Sequence, residues 1–383
     1  MRISLAACLI AVTAVGAPSQ TTHLVGPGGY SQIRDAVAFA SPGDIIEVQP
    51  GFYWNFHLKK HLTIRAQIEG TVDIGFDPQT PGPSQTVIAA PGTQPTCLVG
   101  LNFLPSQELL FGPVFHALHV LDGIVTIDNC TVRGAGNSAL KVVSSEVHLQ
   151  DCVVESVSTQ GTALGVEASF ARITCVGGEF LGGPSTTAGA ARQALLLNSS
   201  LFHGSGFLAR GGSSGAQGSS AVQGSLGAVW ISDAVVQGGV GACAFVGGGG
   251  PRLSRTSVLD NGTACPTAAM GNALIGVDRP APLRIGNTFS LTLRTVPFDI
   301  VVLVANTEIA QQPIPLVEQP LVVSLVGLVD AGFVVTGVTG VTTAQWAIPA
   351  DPNLIDLRLW FQAARGLAFP LQVSPVVGGV IRP

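Results

Sequence analysis

Apolar residues alternate with polar ones along most of this chain, and the alternation recurs in copies. Ala117-Leu-His-Val-Leu-Asp-Gly-Ile-Val-Thr-Ile-Asp-Asn-Cys-Thr-Val132 aligns with Ala139-Leu-Lys-Val-Val-Ser-Ser-Glu-Val-His-Leu-Gln-Asp-Cys-Val-Val154 at an offset of 22 residues, with Ala, Leu, Val, Val, Cys and Val in common. Further copies begin at Ala163-Leu164-Gly165-Val166 and centre on Leu195-Leu-Leu-Asn198 and Val229-Trp-Ile-Ser232, with a blurred one near Leu253–Leu259. A Gly/Ser-rich stretch, Gly206–Ser225, reads as an insertion between rungs. Short repeats with period-two apolar residues and Gly or Asn corners predict one coil of a parallel β-helix per copy. Strand pairing then adds a rung every ~4.8 Å.

That register predicts two inward ladders, Val125/Val147/Ala171/Leu195/Val229 and Ile127/Leu149/Ile173/Leu197/Ile231. Between them lie outward positions, Thr126/His148/Arg172/Leu196/Trp230 and Asp128/Gln150/Thr174/Asn198/Ser232. A leucine-rich horseshoe lacks support, because its LxxLxLxxN phrase and helical returns are missing. A β-sandwich gives alternation without positional identity.

One stretch departs from the strand pattern. Ile33, Ala36, Val37 and Ala40 fall at i, i+3, i+4 and i+7, so residues 31–40 predict a short amphipathic helix. Ser31 is its expected N-cap, and Pro42-Gly43 ends it before a strand at Ile45–Gln49. The open end of a β-helix exposes unpaired backbone and apolar interior, and such a helix is suited to cover it. After Asp278-Arg-Pro-Ala-Pro-Leu283 the repeat gives way to about seven short alternating strands, among them Phe289/Leu291/Leu293, Ile300–Val304 and Phe333–Thr336. These predict a small C-terminal β-sandwich.

The phrase Tyr30-Ser-Gln-Ile33, Ala36-Val37, Ala40-Ser-Pro-Gly-Asp44, Ile46-Glu-Val48, Pro50-Gly-Phe-Tyr53, Leu62-Thr-Ile64 resembles the N-terminal phrase of pectin-lyase-like proteins. The resemblance covers residues 23–275 as architecture and is sharp over 30–64. It implies a right-handed parallel β-helix, secretion and polysaccharide ligands. The C-terminal hundred residues, through Trp346-Ala-Ile-Pro-Ala-Asp-Pro-Asn353 and Leu357-Arg-Leu-Trp-Phe-Gln362, look similar to sandwich modules appended to secreted bacterial proteins. The expected organisation is a signal peptide over 1–19, a β-helix over 20–277 and a sandwich over 278–383.

Charge and cysteine usage narrow the class. Charged residues are 11% of the 383, against ~25% in typical domains, with a net charge of −5 and no basic run. A nucleic-acid surface is therefore not expected. Arg2, the apolar run Leu5–Val15 and Gly16-Ala-Pro-Ser19 fit a secretory signal, since the run is too short to span a bilayer. Export and a surface or extracellular location follow as expectations. Removing Cys8 leaves six cysteines, without a CxxC pair or Cys/His spacing for zinc, so neither metal nor cofactor is expected. Cys243 and Cys265 are disulfide candidates; Cys130 and Cys152, on neighbouring rungs, read better as buried thiols.

The enzymes of the resembled family need phrases that this chain lacks: NxD with a nearby DD, DFxFG, or RxPxxR. Ala244-Phe-Val-Gly-Gly248 lacks the acid of the second. Candidate ligand contacts are Asp128, His148 and Arg172, expected on adjacent rungs to meet a hydroxyl, a proton and a uronate carboxylate. Trp54 and Trp230 are candidate sugar-stacking aromatics. Against this stands the plainer reading of ordinary solvated sheet positions. The expected function is binding of extracellular or cell-surface polysaccharide, or a surface structural role. The alternative is a lyase or glycoside hydrolase acting on an acidic polysaccharide.

Overall fold

The structure, a computed structural model, describes residues 20–76, 83–105, 116–135, 137–157, 164–183, 192–214, 217–247, 252–253, 257–260, 275–279, 281–307, 309–312, 321–323, 329–355, 357–365 and 372–382. The expected signal segment lies outside these residues.

Three parallel faces wind round one apolar interior as a right-handed parallel β-helix. The first face holds His57–Leu58, Thr86–Ile88, the front halves of Leu118–Asp128 and Ser138–Gln150, then Leu164–Ser169, Leu195–Asn198, Val222–Ser225 and Phe245–Gly247. The second holds Thr22–Val25, Ile45–Val48, Thr63–Ala66, Pro95–Val99, the rear halves of the two long strands, then Arg172–Val176, Leu201–Ser205, Ala228–Ser232 and Arg252–Leu253. The third is a nine-stranded sheet from Gly51–Trp54 to Val258–Asp260. Alternation sends every second residue inward, where apolar burial stabilises the coil by about 1.5–3 kcal/mol per large side chain.

The register differs from the expected one beyond the second copy. The inward ladder is Val125/Val147/Ile173/Phe202/Val229, not one through Ala171 and Leu195. Coils are unequal: from Ile124 to Glu146 the step is 22 residues, but from Glu146 to Arg172 it is 26 and from Arg172 to Leu201 it is 29. Leu195–Asn198 thus belongs to the first face, where Leu196 pairs with Glu167. The Gly/Ser-rich stretch is no insertion between rungs. It supplies Leu208–Arg210 on the third face and Val222–Ser225 on the first, joined by a small antiparallel pair, Ser213–Ser214 with Gln217–Gly218.

The helix Ile33–Phe39 covers the first rung with Ile33, Ala36 and Val37. Its N-cap is Gln32, not Ser31. Ser31 Oγ donates to Asp35 Oδ2 at 3.1 Å, while Gln32 Oε1 accepts from the Trp54 amide at 2.9 Å, tying helix to coil. Lys60 Nζ closes the other end, donating to the carbonyls of Val37, Ala38 and Ala40 at 2.8–3.1 Å. Asp44 holds the Pro42-Gly43 turn by accepting from the Ser41 and Thr21 amides. Burial alone would push its carboxyl up, but the bonds from His23, Thr21 and Ser41 bring it below the usual range.

The C-terminal unit is antiparallel. One sheet pairs Gly276–Asp278, Thr288–Arg294 and Val341–Ala347; the other is built on Ile300–Asn306, Val329–Val335 and Arg358–Arg365, the last also pairing with Gln372–Val373 and Val377–Val380. Phe289, Trp346 and Phe361 stack between them at 4.8–6.1 Å, giving the sandwich its centre. Gly276–Asp278 already belongs to this unit.

Candidate functional site

The sandwich sits on the second face of the β-helix. Val176, outward on that face, is part of the sandwich core. The Val277 amide donates to Ser205 Oγ at 2.9 Å, the Gly378 amide to Gln150 Oε1 at 3.2 Å, and Arg358 Nη2 to Thr63 Oγ1 at 3.2 Å. Arg279 Nη2 reaches Asp128 and Asp151 at 2.8 Å each, and Arg382 Nη2 reaches the other oxygen of Asp128 at 2.7 Å. Burial pushes the Asp128 carboxyl up, against the pull of Arg279. With guanidinium groups on both oxygens it carries its charge in the fold.

This placement corrects the expectation of an open binding face. Asp128 and His148 do point outward, but they are 2% and 1% exposed. Asp128 has its oxygens filled by Arg279 and Arg382, and His148 packs near Trp360, with ring centroids 6.2 Å apart. Trp230 is also buried, beside His203. Burial pushes His203 down to about 3, so its imidazole stays neutral. Trp54 carries the Arg34 guanidinium over its ring at 4.6 Å, which occupies a sugar-stacking surface with a cation. Arg172 alone of the five is exposed, and it makes no ion pair with a described residue. Cys97, Cys130, Cys152 and Cys175 are free and buried, as expected for the second and third. Cys243 is disulfide-bonded; Cys265 lies outside the described residues.

An open groove of about 470 Å³ lies at the corner between the first and second faces, lined by Asp122, Ser144, Glu146, Phe170 and Arg172 among others. Glu146 and Arg172 are register partners on adjacent rungs, so an acid and a base stand roughly 5 Å apart along the axis. Phe170, two residues before Arg172, is 72% exposed. Glu146 is 9% exposed, and its Oε1 is buried without a hydrogen bond. His148 Nε2 lies 3.2 Å from that oxygen but out of line for a bond. Thr174 Oγ1 is 2.6 Å from His148 Nδ1. When that hydroxyl donates, the imidazole proton sits on Nε2, toward Glu146. The groove thus combines an apolar platform, a guanidinium without an ion pair among the described residues and a carboxylate backed by His148.

A polar ladder on the first face runs up to the same corner. His119, Lys141, Glu167, Leu196 and Gln223 are in register, with Lys141 Nζ 3.3 Å from Glu167 Oε1 and Gln193 Nε2 donating to Gln223 at 2.7 Å. His116 shares a 2.6 Å contact with Ser138 Oγ, and burial pushes it down to about 4. This ladder lies in the first half of each copy, ahead of the positions expected to carry ligand contacts. The signal was present, since His119 and Lys141 occupy the same slot 22 residues apart.

Among the described residues no group of three or more His, Cys, Asp or Glu is placed to hold a metal ion, and no helix is long and apolar enough to cross a membrane.

No protein-family model and no curated protein matches the chain. Among solved structures, the chain is similar to pectate lyase Pel9A, at 13% identity over 62% of this chain and 69% of that one, with a TM-score of 0.45. A pectin methylesterase from Aspergillus niger aligns at 17% identity over 66% of this chain and 93% of its own, with a TM-score of 0.36. Tailspike protein 2 of bacteriophage CBA120, an enzymatically active domain, aligns at 11% identity over 92% and 73%, with a TM-score of 0.35.

Proposed function

Starting from a pectin-lyase-like parallel β-helix, we propose that this is an exported protein that binds an acidic extracellular or cell-surface polysaccharide without cleaving it. The corner groove is the binding site. The observation that carries this reading is the exposed Phe170 beside Arg172, which makes no ion pair among the described residues, with Glu146 lining the same groove. An aromatic face stacks on a pyranose ring, a guanidinium meets a uronate carboxylate, and a carboxylate accepts sugar hydroxyls. Export follows from the charged and apolar pattern of residues 1–19. The sandwich packs on the second face and leaves the corner groove open.

The test is retention on immobilised acidic polysaccharides, scored together with release of reducing or unsaturated ends. Arg172→Ala and Glu146→Gln are expected to fold as the parent and to lose retention. Unchanged retention by both variants sinks the proposal. A second reading, hydrolysis, is favoured by one feature: Asp122 and Glu146 line the same groove as a pair of carboxylates. Release of reducing ends, abolished by Asp122→Asn and by Glu146→Gln, selects that reading.

A further inference from the structure

One residue per rung turns the chain at this corner in the left-handed region: Asp122 (φ 47°), Ser144 (φ 48°), Phe170 (φ 53°), Ser199 (φ 47°) and Leu226 (φ 52°). Strand register puts them on five successive rungs. With the same sign and similar size of φ at register-equivalent positions, the five side chains project to the same side of the corner. Left-handed backbone suits glycine, and after it asparagine or aspartate; phenylalanine and leucine are poorly suited. Both are also out in solvent, Phe170 at 72% and Leu226 at 85% exposure. A side chain that is strained at its backbone and unburied contributes little to the fold. Large apolar side chains at these positions call for an explanation outside folding.

The order along the ridge supplies one. Large apolar side chains stand at Phe170 and Leu226 with Ser199 between them, and Asp122 and Ser144 occupy the two rungs before. The two apolar platforms are therefore two rungs apart, roughly 10 Å. An extended 1,4-linked pyranose chain advances by nearly the same step per sugar as the β-helix does per rung, roughly 5 Å. In a two-fold chain successive sugars are flipped, so every second one offers the same face.

We infer that the ridge is the track of an extended, two-fold, 1,4-linked acidic polysaccharide lying parallel to the β-helix axis with one sugar per rung. Phe170 and Leu226 stack on alternate sugars, and Ser144 and Ser199 hydrogen-bond those between. Arg172, beside Phe170, takes the carboxylate of a stacked uronate. The inference rests on the proposed polysaccharide binding and adds the direction and repeat of the ligand.

The experiment measures binding of the full chain to tetra-, hexa- and octasaccharides of β-1,4-mannuronate, which is two-fold. Galacturonate oligomers of equal length and charge, which are three-fold, serve as comparison. The mannuronates are expected to bind about tenfold tighter, with affinity rising over the series. Phe170→Gly and Leu226→Gly keep the left-handed backbone and remove the platforms. They should weaken binding about tenfold and several-fold respectively. Equal affinity for the two series, or parental affinity in both glycine variants, overturns the inference. If Arg172→Ala loses binding while the glycine variants do not, the groove stands and the ridge falls. If the parent retains neither series, both readings fall together.

Discussion

Arg279 and Asp128, 151 residues apart in the chain, meet at 2.8 Å with each side chain 2% exposed. Asp128 also holds Arg382, so a single carboxylate ties both ends of the sandwich to the second face of the β-helix. Removing it leaves two buried guanidinium groups with only their more exposed partners, Asp151 for Arg279 and Glu69 for Arg382. Asp128→Ala should cost about 3–5 kcal/mol in chemical denaturation and make the C-terminal unit the first target of limited proteolysis. A loss below about 1 kcal/mol contradicts this account.

Acid should destabilise the protein through its buried histidines. His116 and His203 have their folded values lowered by burial to about 4 and about 3, from an ordinary 6.5. Above pH 6.5 both are neutral whether folded or not, and their contribution to stability is fully present. As pH falls below that, the unfolded chain takes up protons that the folded one refuses. Stability is then lost down to the folded values, by about 2 kcal/mol per histidine at roughly pH 5. Denaturation curves at neutral and acid pH measure it, and His203→Phe should flatten the dependence.

Lys60 is the C-terminal cap of the helix Ile33–Phe39. Its three bonds to Val37, Ala38 and Ala40 satisfy carbonyls that the helix leaves unpaired. Lys60→Met should cost about 1–2 kcal/mol, seen first as faster hydrogen exchange in residues 36–40. Exchange that rises equally across all rungs instead places the role of Lys60 elsewhere.

At the corner ridge, stability and binding should part. Phe170→Gly relieves a left-handed residue with little loss of burial, so it should raise stability by about 1 kcal/mol. The same substitution removes the stacking platform. A higher melting temperature together with weaker polysaccharide retention is the expected outcome; a lower one shows that Phe170 serves the fold.

The sequence by itself determined the parallel β-helix, because inward ladders need period-two apolar residues and Ile33, Ala36 and Val37 need a helical stripe to cover the open end. Both patterns are local and survive in one dimension. The free, buried state of Cys130 and Cys152 agrees with the expectation that side chains stacked on neighbouring rungs would strain a disulfide. Register failed where coils lengthened to 26 and 29 residues, since turn inserts shift the count without disturbing alternation.

Only the tertiary structure decided which outward face stays open. Asp128, His148 and Trp230 face outward as their alternation requires, yet the second face is covered along most of its length. What covers it is chain from beyond Ile275, and no local pattern encodes a contact over such a separation. Glu146, Phe170 and Arg172 came together for a related reason. A left-handed residue at the corner sets where side chains two positions either side will point, and φ is not written in residue type when the residue is phenylalanine.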